Sequence, residues 1–146
     1  MRYDVSIEIN SPRDQVVDLF MDERRFREWQ PDLLEYFPTS KKRGVEGATA
    51  ILRMRMGSSD MEMIETVDGG VLPHTYSVIY QAKGVWNRVD SQFHVRSGGS
   101  TTEWICTSEF RCEGMMRLVM FCMPWLFKKE TRKHQERFKT FVEAAT

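Results

Sequence analysis

The sequence predicts an α+β fold: a seven-stranded antiparallel sheet curled around one long C-terminal helix, with two short helices between the first and second strands. Three observations lead there. The N-terminal residues alternate polar and apolar, and residues 33–113 repeat that period-two pattern between glycine turns, with no helical crossover segment among them. From Phe110 the chain passes through a methionine-rich apolar stretch and Pro124-Trp125 into an amphipathic helix that closes the sequence. Wrapping the sheet around that helix is the economical way to bury both, and such a grip tends to leave a cavity.

Each element has its own signal. Tyr3, Val5, Ile7 and Ile9 share one face of a strand over 3–9, which Asn10-Ser11-Pro12 stops. Ser11 as N-cap and Pro12 at the first helical position start a helix over 12–21, whose apolar stripe is Val16, Leu19 and Phe20. Asp22 caps a second short helix carrying Phe26 and Trp29, which ends before Pro31. Six strands follow, at 33–40, 47–56, 60–68, 74–82, 85–96 and 101–112, joined by short glycine turns that imply an antiparallel meander. Gly114 ends the last strand. Met115 to Met123 is apolar all round, Pro124 allows a kink, and the helix runs on to about Glu143, roughly 30 Å from Trp125 at 1.5 Å per residue.

Composition bounds the function. The 146 residues suit one domain, 1–146. Lys plus Arg equals Asp plus Glu at 21 each, so no global field draws the chain to nucleic acid. The N-terminus lacks the apolar core of a signal peptide and no stretch is as apolar as a membrane span, so a soluble, cytoplasmic protein is expected. Cys106, Cys112 and Cys122 show neither CxxC spacing nor flanking histidine pairs, so no disulfide, zinc site or other cofactor is expected. Cys106 and Cys112 share a strand face and read as small core residues.

The order of elements, together with Ile9-Asn10-Ser11-Pro12, Val16, Leu19, Phe20 and Trp29 before Pro31, resembles the START-like (SRPBCC) superfamily, in particular its polyketide cyclase/dehydrase-type branch. Gly99, Thr102, Trp104 and Phe110 of the last strand, and the terminal helix with Phe127, Phe138-Lys139 and Val142-Glu143, carry the rest of the resemblance, which spans the whole chain. It implies a helix-grip fold around a hydrophobic cavity, and it places Trp29 at the cavity mouth. It implies no reaction, because relatives include lipid carriers, hormone receptors and cyclases.

Strand parity names the candidate lining. Ala50, Leu52, Met54 and Met56 oppose Arg53 and Arg55, while Met61 and Met63 oppose Asp60 and Glu62, with Ile64 breaking the alternation as a bulge would. Tyr76, Val78 and Tyr80, then Val85, Val89 and Phe93, then Trp104, Cys106, Ser108 and Phe110 continue that face, and Met116, Met120 and Met123 join it from the helical end. The chain holds 10 methionines, and seven of them fall on this set. Flexible, polarisable methionine suits a pocket that adapts to irregular apolar ligands; the alternative is that these residues fill a core. On the last helix Phe127, Thr131, Gln135, Phe138 and Val142 form a seam that is apolar at both ends. Thr131 and Gln135 then offer hydrogen bonds to a ligand head, or that stretch is half solvated.

No GxSxG, HExxH, GxGxxG or P-loop motif is present, so any acid or base would come from Tyr76, Tyr80, Glu65 or Glu109. Glu65 is expected outward and salt-bridged. In a strand without a bulge it would instead share the methionine face and be placed for proton abstraction. His74 and His94 read as surface residues, and Lys41-Lys42-Arg43 and the charges of the last helix as solvated. Met115–Phe127 with that basic helix is also suited to weak contact with a membrane surface. The reading is binding or transport of a small hydrophobic or amphipathic, lipid- or polyketide-like ligand in an internal cavity. The alternatives are a cyclase/dehydratase-like enzyme and an interaction module with a vestigial cavity.

Overall fold

The computed structural model describes residues 1–145. Strand β1 (Arg2–Ile9) leads into helix α1 (Arg13–Met21) and a 3-10 helix (Glu23–Glu28). Then come β2 (Leu33–Ser40), β3 (Thr49–Met56), β4 (Ser59–Gly69), β5 (Thr75–Ala82), β6 (Val85–Arg96) and β7 (Thr101–Cys112). Helices α2 (Gly114–Cys122) and α3 (Trp125–Ala144) follow. The strands form one seven-stranded sheet in the order β1-β7-β6-β5-β4-β3-β2. Every pairing is antiparallel, so β2 to β7 form the expected meander and β1 returns to the side of β7.

The helix starts depart from expectation in instructive ways. Pro12, not Ser11, is the N-cap of α1: its carbonyl accepts from the Val16 N–H at 3.1 Å. The Ser11 carbonyl is already taken by the Thr102 hydroxyl at 2.8 Å, which anchors the turn to β7 and leaves the Ser11 side chain buried rather than capping. Asp22 does cap the next segment, accepting from the Arg24 N–H at 3.2 Å, but the six residues between the cap and Trp29 wind as a 3-10 helix. At Met123-Pro124 the helix breaks outright, with Met123 at φ −136° and ψ 58°, because proline disfavours helical backbone in the residue before it.

Helix α3 lies along β1 and runs in the same direction. The Tyr3 hydroxyl meets the Phe127 carbonyl at 3.0 Å and the Thr131 hydroxyl at 2.7 Å. Gln135 Nε2 donates to the Val5 carbonyl at 3.0 Å, and Lys139 Nζ to the Glu8 carbonyl at 2.7 Å. The Asn10 N–H donates to the Glu143 carboxylate at 2.9 Å. These bonds hold the helix over one side of the sheet.

An aromatic cluster fills the end of the grip under α1. The Phe20 ring centroid lies 5.2–6.3 Å from those of Trp29, Tyr76, Phe93, Trp104 and Phe138. Several of these contacts are edge to face, the arrangement that ring quadrupoles favour. Phe138 and Val142 of α3, Val16 of α1 and Ile9 of β1 are wholly buried beside them.

Candidate functional site

The register of β4 decides what faces the helix. Ile51 pairs with Ile64, Leu52 with Met63 and Met54 with Met61 without interruption, and the irregularity in this strand lies at Val67/Gly69, against β5. Ile64 is an exposed apolar residue opposite Ile51 on the outer face, not the mark of a bulge. Met61, Met63, Glu65 and Val67 therefore share the inner face. The expectation of an outward Glu65 is corrected: the residue is only 3% exposed.

Glu65 is the centre of a buried polar group. The Tyr36 hydroxyl donates to its Oε1 at 2.7 Å. Arg43 Nε lies 3.8 Å from the same oxygen, a distance at which two unit charges attract by about 4 kcal/mol at an effective dielectric of ~20. Loss of water from both ions offsets much of that, so further contacts have to complete the arrangement. Arg43 supplies them: its guanidinium donates to the Phe20 carbonyl at 3.2 Å and lies 4.5 Å from the centroid of the Phe26 ring. Burial works to lower the Arg43 pKa, and Glu65, with the neighbouring tyrosines, more than offsets it, so the side chain stays charged.

The surrounding phenols are held protonated. Tyr80 stands opposite Glu65 in the β4–β5 register, and burial, then the Glu65 charge, raises its pKa well above the ordinary tyrosine value. The same two causes raise Tyr36. Tyr76 rises chiefly by burial, with Arg43 pulling the other way. Each is a hydrogen-bond donor at neutral pH. The arrangement joins one buried carboxylate, one buried guanidinium and three phenols at the edge of the apolar inner face.

The predicted lining divides into three groups. Trp29, Leu52, Tyr76, Val78, Phe93, Trp104 and Gln135 are buried, most of them within or beside the aromatic cluster. Met54, Met61, Met63, Tyr80 and Val89 face inward but keep part of their surface accessible, and Met116 and Met120 of α2 and Thr131 of α3 are likewise only partly covered. Met56, at the end of β3, and Met123, at the helix break, are exposed. Gln135 is not half solvated: it is 1% exposed and ties α3 to two strands through the Val5 and Trp104 carbonyls, at 3.0 and 3.3 Å. His134 packs against Trp29 at 4.8 Å, and burial, with Arg137 nearby, lowers its pKa to about 4.

Sequence reasoning missed Tyr36 and Arg43. Tyr36 falls in the predicted strand 33–40, where Leu33-Leu34-Glu35-Tyr36-Phe37 does not alternate and parity gives it no face, and Arg43 lies in a basic loop run that carries no periodicity. The signal that could have found Arg43 was its counter-ion: a carboxylate on the methionine face of β4 requires a cation.

Two other spaces mark the surface. An open groove of about 850 Å³ separates the 3-10 helix from the C-terminal half of α3. Arg25, Glu28, Lys133, Glu136 and Arg137 border it together with Trp29, Pro31, Phe141 and Ala144, so ionic and apolar side chains share its walls, and it has only Trp29 in common with the predicted lining. A crevice at β2 lined by Tyr36, Pro38, Arg43 and Glu65 is too narrow to admit a water molecule. No group of three metal-ligating side chains occurs among the described residues, and no helix is long and apolar enough to cross a membrane.

No protein-family model matches the sequence, and no curated protein matches it. Solved structures do match. A conserved protein from Geobacillus kaustophilus superposes with a TM-score of 0.82 at 12% identity, covering 99% of this chain and 97% of that one. A START superfamily protein from Mycobacterium smegmatis gives 0.80 at 13% identity, with 99% of each chain covered. An aromatase/cyclase from Streptomyces gives 0.78 at 10% identity, covering 98% and 93%. The chain thus has the helix-grip fold of the START-like proteins.

Proposed function

We propose that the protein binds and carries a small hydrophobic or amphipathic molecule, lipid- or polyketide-like, between the sheet and the N-terminal half of α3, acting as one cytoplasmic domain. The observation that carries this reading is the contrast along the inner face. Trp29, Trp104, Phe93 and Phe138 are sealed, whereas Met54, Met61, Met63, Tyr80 and Val89 face inward yet stay partly accessible. Of the seven buried side-chain polar atoms without a hydrogen-bond partner among the described residues, Gln135 Oε1 lies one turn along α3 from Thr131 and adds support, because such an atom calls for a water or ligand group. Leu52, Val78, Met116, Met120 and Thr131 complete the proposed wall. Binding of an apolar fluorophore tests it. Met54→Trp and Met63→Trp fill the space and should each weaken uptake at least tenfold, or about 1.4 kcal/mol, in a folded protein. Undiminished uptake in both variants sinks the assignment.

The inward position of Glu65 favours a second reading, a cyclase/dehydratase-like enzyme acting on a polyketide-type substrate. A carboxylate beside Tyr80 can exchange a proton with an enolisable ligand, and the phenols can hold the resulting oxyanion. Glu65→Gln separates the two readings. A carrier keeps its ligand affinity and shows no turnover in either form, whereas an enzyme turns over a cyclisable polyketide-like substrate and loses that activity on substitution.

A further inference from the structure

We propose that α2 and the first turns of α3 dock this protein on an anionic lipid bilayer, with α2 lying in the plane of the interface. The inference goes beyond the cavity reading and does not rest on it. Its first ground is apolar exposure concentrated in one place. Met115, Leu118, Phe121, Met123 and Trp125 are all exposed within eleven residues, Phe121 by 85% and Met115 by 74%. No residue of α2 is fully buried, so this nine-residue helix is apolar without packing into the core. Burying such surface is what normally holds a helix in place, and a bilayer interface supplies that burial for a helix too short to cross it.

The second ground is charge, and it selects the occupant. Residues 114–133 hold five cations, Arg117, Lys128, Lys129, Arg132 and Lys133, against the single carboxylate of Glu130, in a chain whose charges balance at 21 each. Lys133 pairs with Glu130 at 3.5 Å, while the other four are exposed and have no carboxylate partner among the described residues. Free cations flanking an exposed Phe, Trp and Met wedge complement a headgroup layer of negative lipids, into which the aromatic side chains insert. A second copy of the chain fits worse: the same patch meeting itself across a two-fold axis would set these cations against one another.

Position ties the surface to the rest of the molecule. The Glu113 N–H, just before α2, donates to the Gly84 carbonyl in the β5–β6 turn at 2.9 Å. That turn lies at the end of the sheet that carries Met61, Met63 and Tyr80, away from the aromatic cluster. A protein docked through α2 would present its methionine end to the lipid.

Co-sedimentation with vesicles tests the proposal. Vesicles of phosphatidylcholine alone are compared with vesicles containing about one third phosphatidylserine, at low and high salt. The unmodified chain should bind the anionic vesicles at least tenfold more tightly than the neutral ones and lose most of that binding at high salt. Phe121→Ser with Trp125→Ser removes the wedge, and Lys128→Glu with Lys129→Glu removes the charge; each pair should weaken sedimentation at least tenfold. Trp125 fluorescence should shift to the blue on anionic vesicles. No sedimentation with either vesicle, equal binding to both, or a dimer in size-exclusion chromatography that the Phe121→Ser pair dissolves would overturn the proposal. Uptake of an apolar dye without vesicles is read separately. A chain that sediments but takes up no dye leaves docking intact and counts against the cavity.

Discussion

The two ends of the grip are built from different side chains. Under α1, Phe20, Trp29, Phe93, Trp104 and Phe138 meet ring against ring with almost no accessible surface. Toward the β3–β4 and β5–β6 turns the same inner face carries Met54, Met61, Met63, Tyr80 and Val89, each partly accessible. Stiff rings with few rotamers give one packing solution, whereas unbranched methionines give many of similar energy. One sheet can thus hold a rigid anchor and an adaptable wall, with the difference set by side chains and not by the backbone.

The sharpest test is to truncate both ends alike. Phe138→Ala opens a cavity in the aromatic cluster and should lower unfolding free energy by about 3–5 kcal/mol in denaturant titration, while Met63→Ala, at a side chain that is only partly buried, should cost about 1 kcal/mol. Equal losses would erase the distinction between the ends.

A smaller effect lies at their boundary, where His134 packs against Trp29 and Trp104, at 4.8 and 6.2 Å. Burial keeps this ring neutral in the folded protein until pH falls to about 4. The unfolded chain takes up the proton near pH ~6.5 and so gains relative to the folded one as pH falls. Stability should therefore decline between pH ~6.5 and ~4, by about 2–3 kcal/mol. In His134→Phe that part of the pH dependence should vanish; an unchanged profile would assign the acid sensitivity to other groups.

The smallest contrast concerns how α3 is fastened. Gln135→Leu removes two buried hydrogen bonds to strand carbonyls and should cost about 1–2 kcal/mol. Thr131→Val leaves the Tyr3 hydroxyl its bond to the Phe127 carbonyl and should cost less than about 1 kcal/mol, with weaker uptake of amphipathic probes as its main effect. If the two variants lose equal stability, Thr131 belongs to the anchor.

Much of the fold was legible because its signals are periodic. Tyr3-Val5-Ile7-Ile9, the alternation of Ala50 to Met56 and the glycine turns each report a single element, and their order left one arrangement. The inward face was legible where parity alone decides it, as at Leu52, Met63, Val78 and Trp104. Parity failed at Glu65 because an apolar Ile64 beside it imitated a bulge, and the capping signal failed at Ser11 because the donor that occupies its carbonyl, the Thr102 hydroxyl, lies 91 residues away. Arg43 was invisible for a different reason: a loop side chain obeys no period, and only the buried carboxylate it serves explains why it turns inward.

The place of β1 has a consequence for how the molecule assembles. Its ladder partner is β7, and its helix partner is α3, with Gln135 reaching Val5 across 130 residues of chain. Contacts so distant along the chain form only after most of the conformational freedom of the intervening segment has been lost. As the polypeptide leaves the ribosome, the β2–β6 meander can pair by local hairpin closure while Tyr3, Val5 and Ile7 wait unpaired. Closure of the grip is then the late event, and a chain cut short before α3 would expose the strand that ought to be its best protected edge.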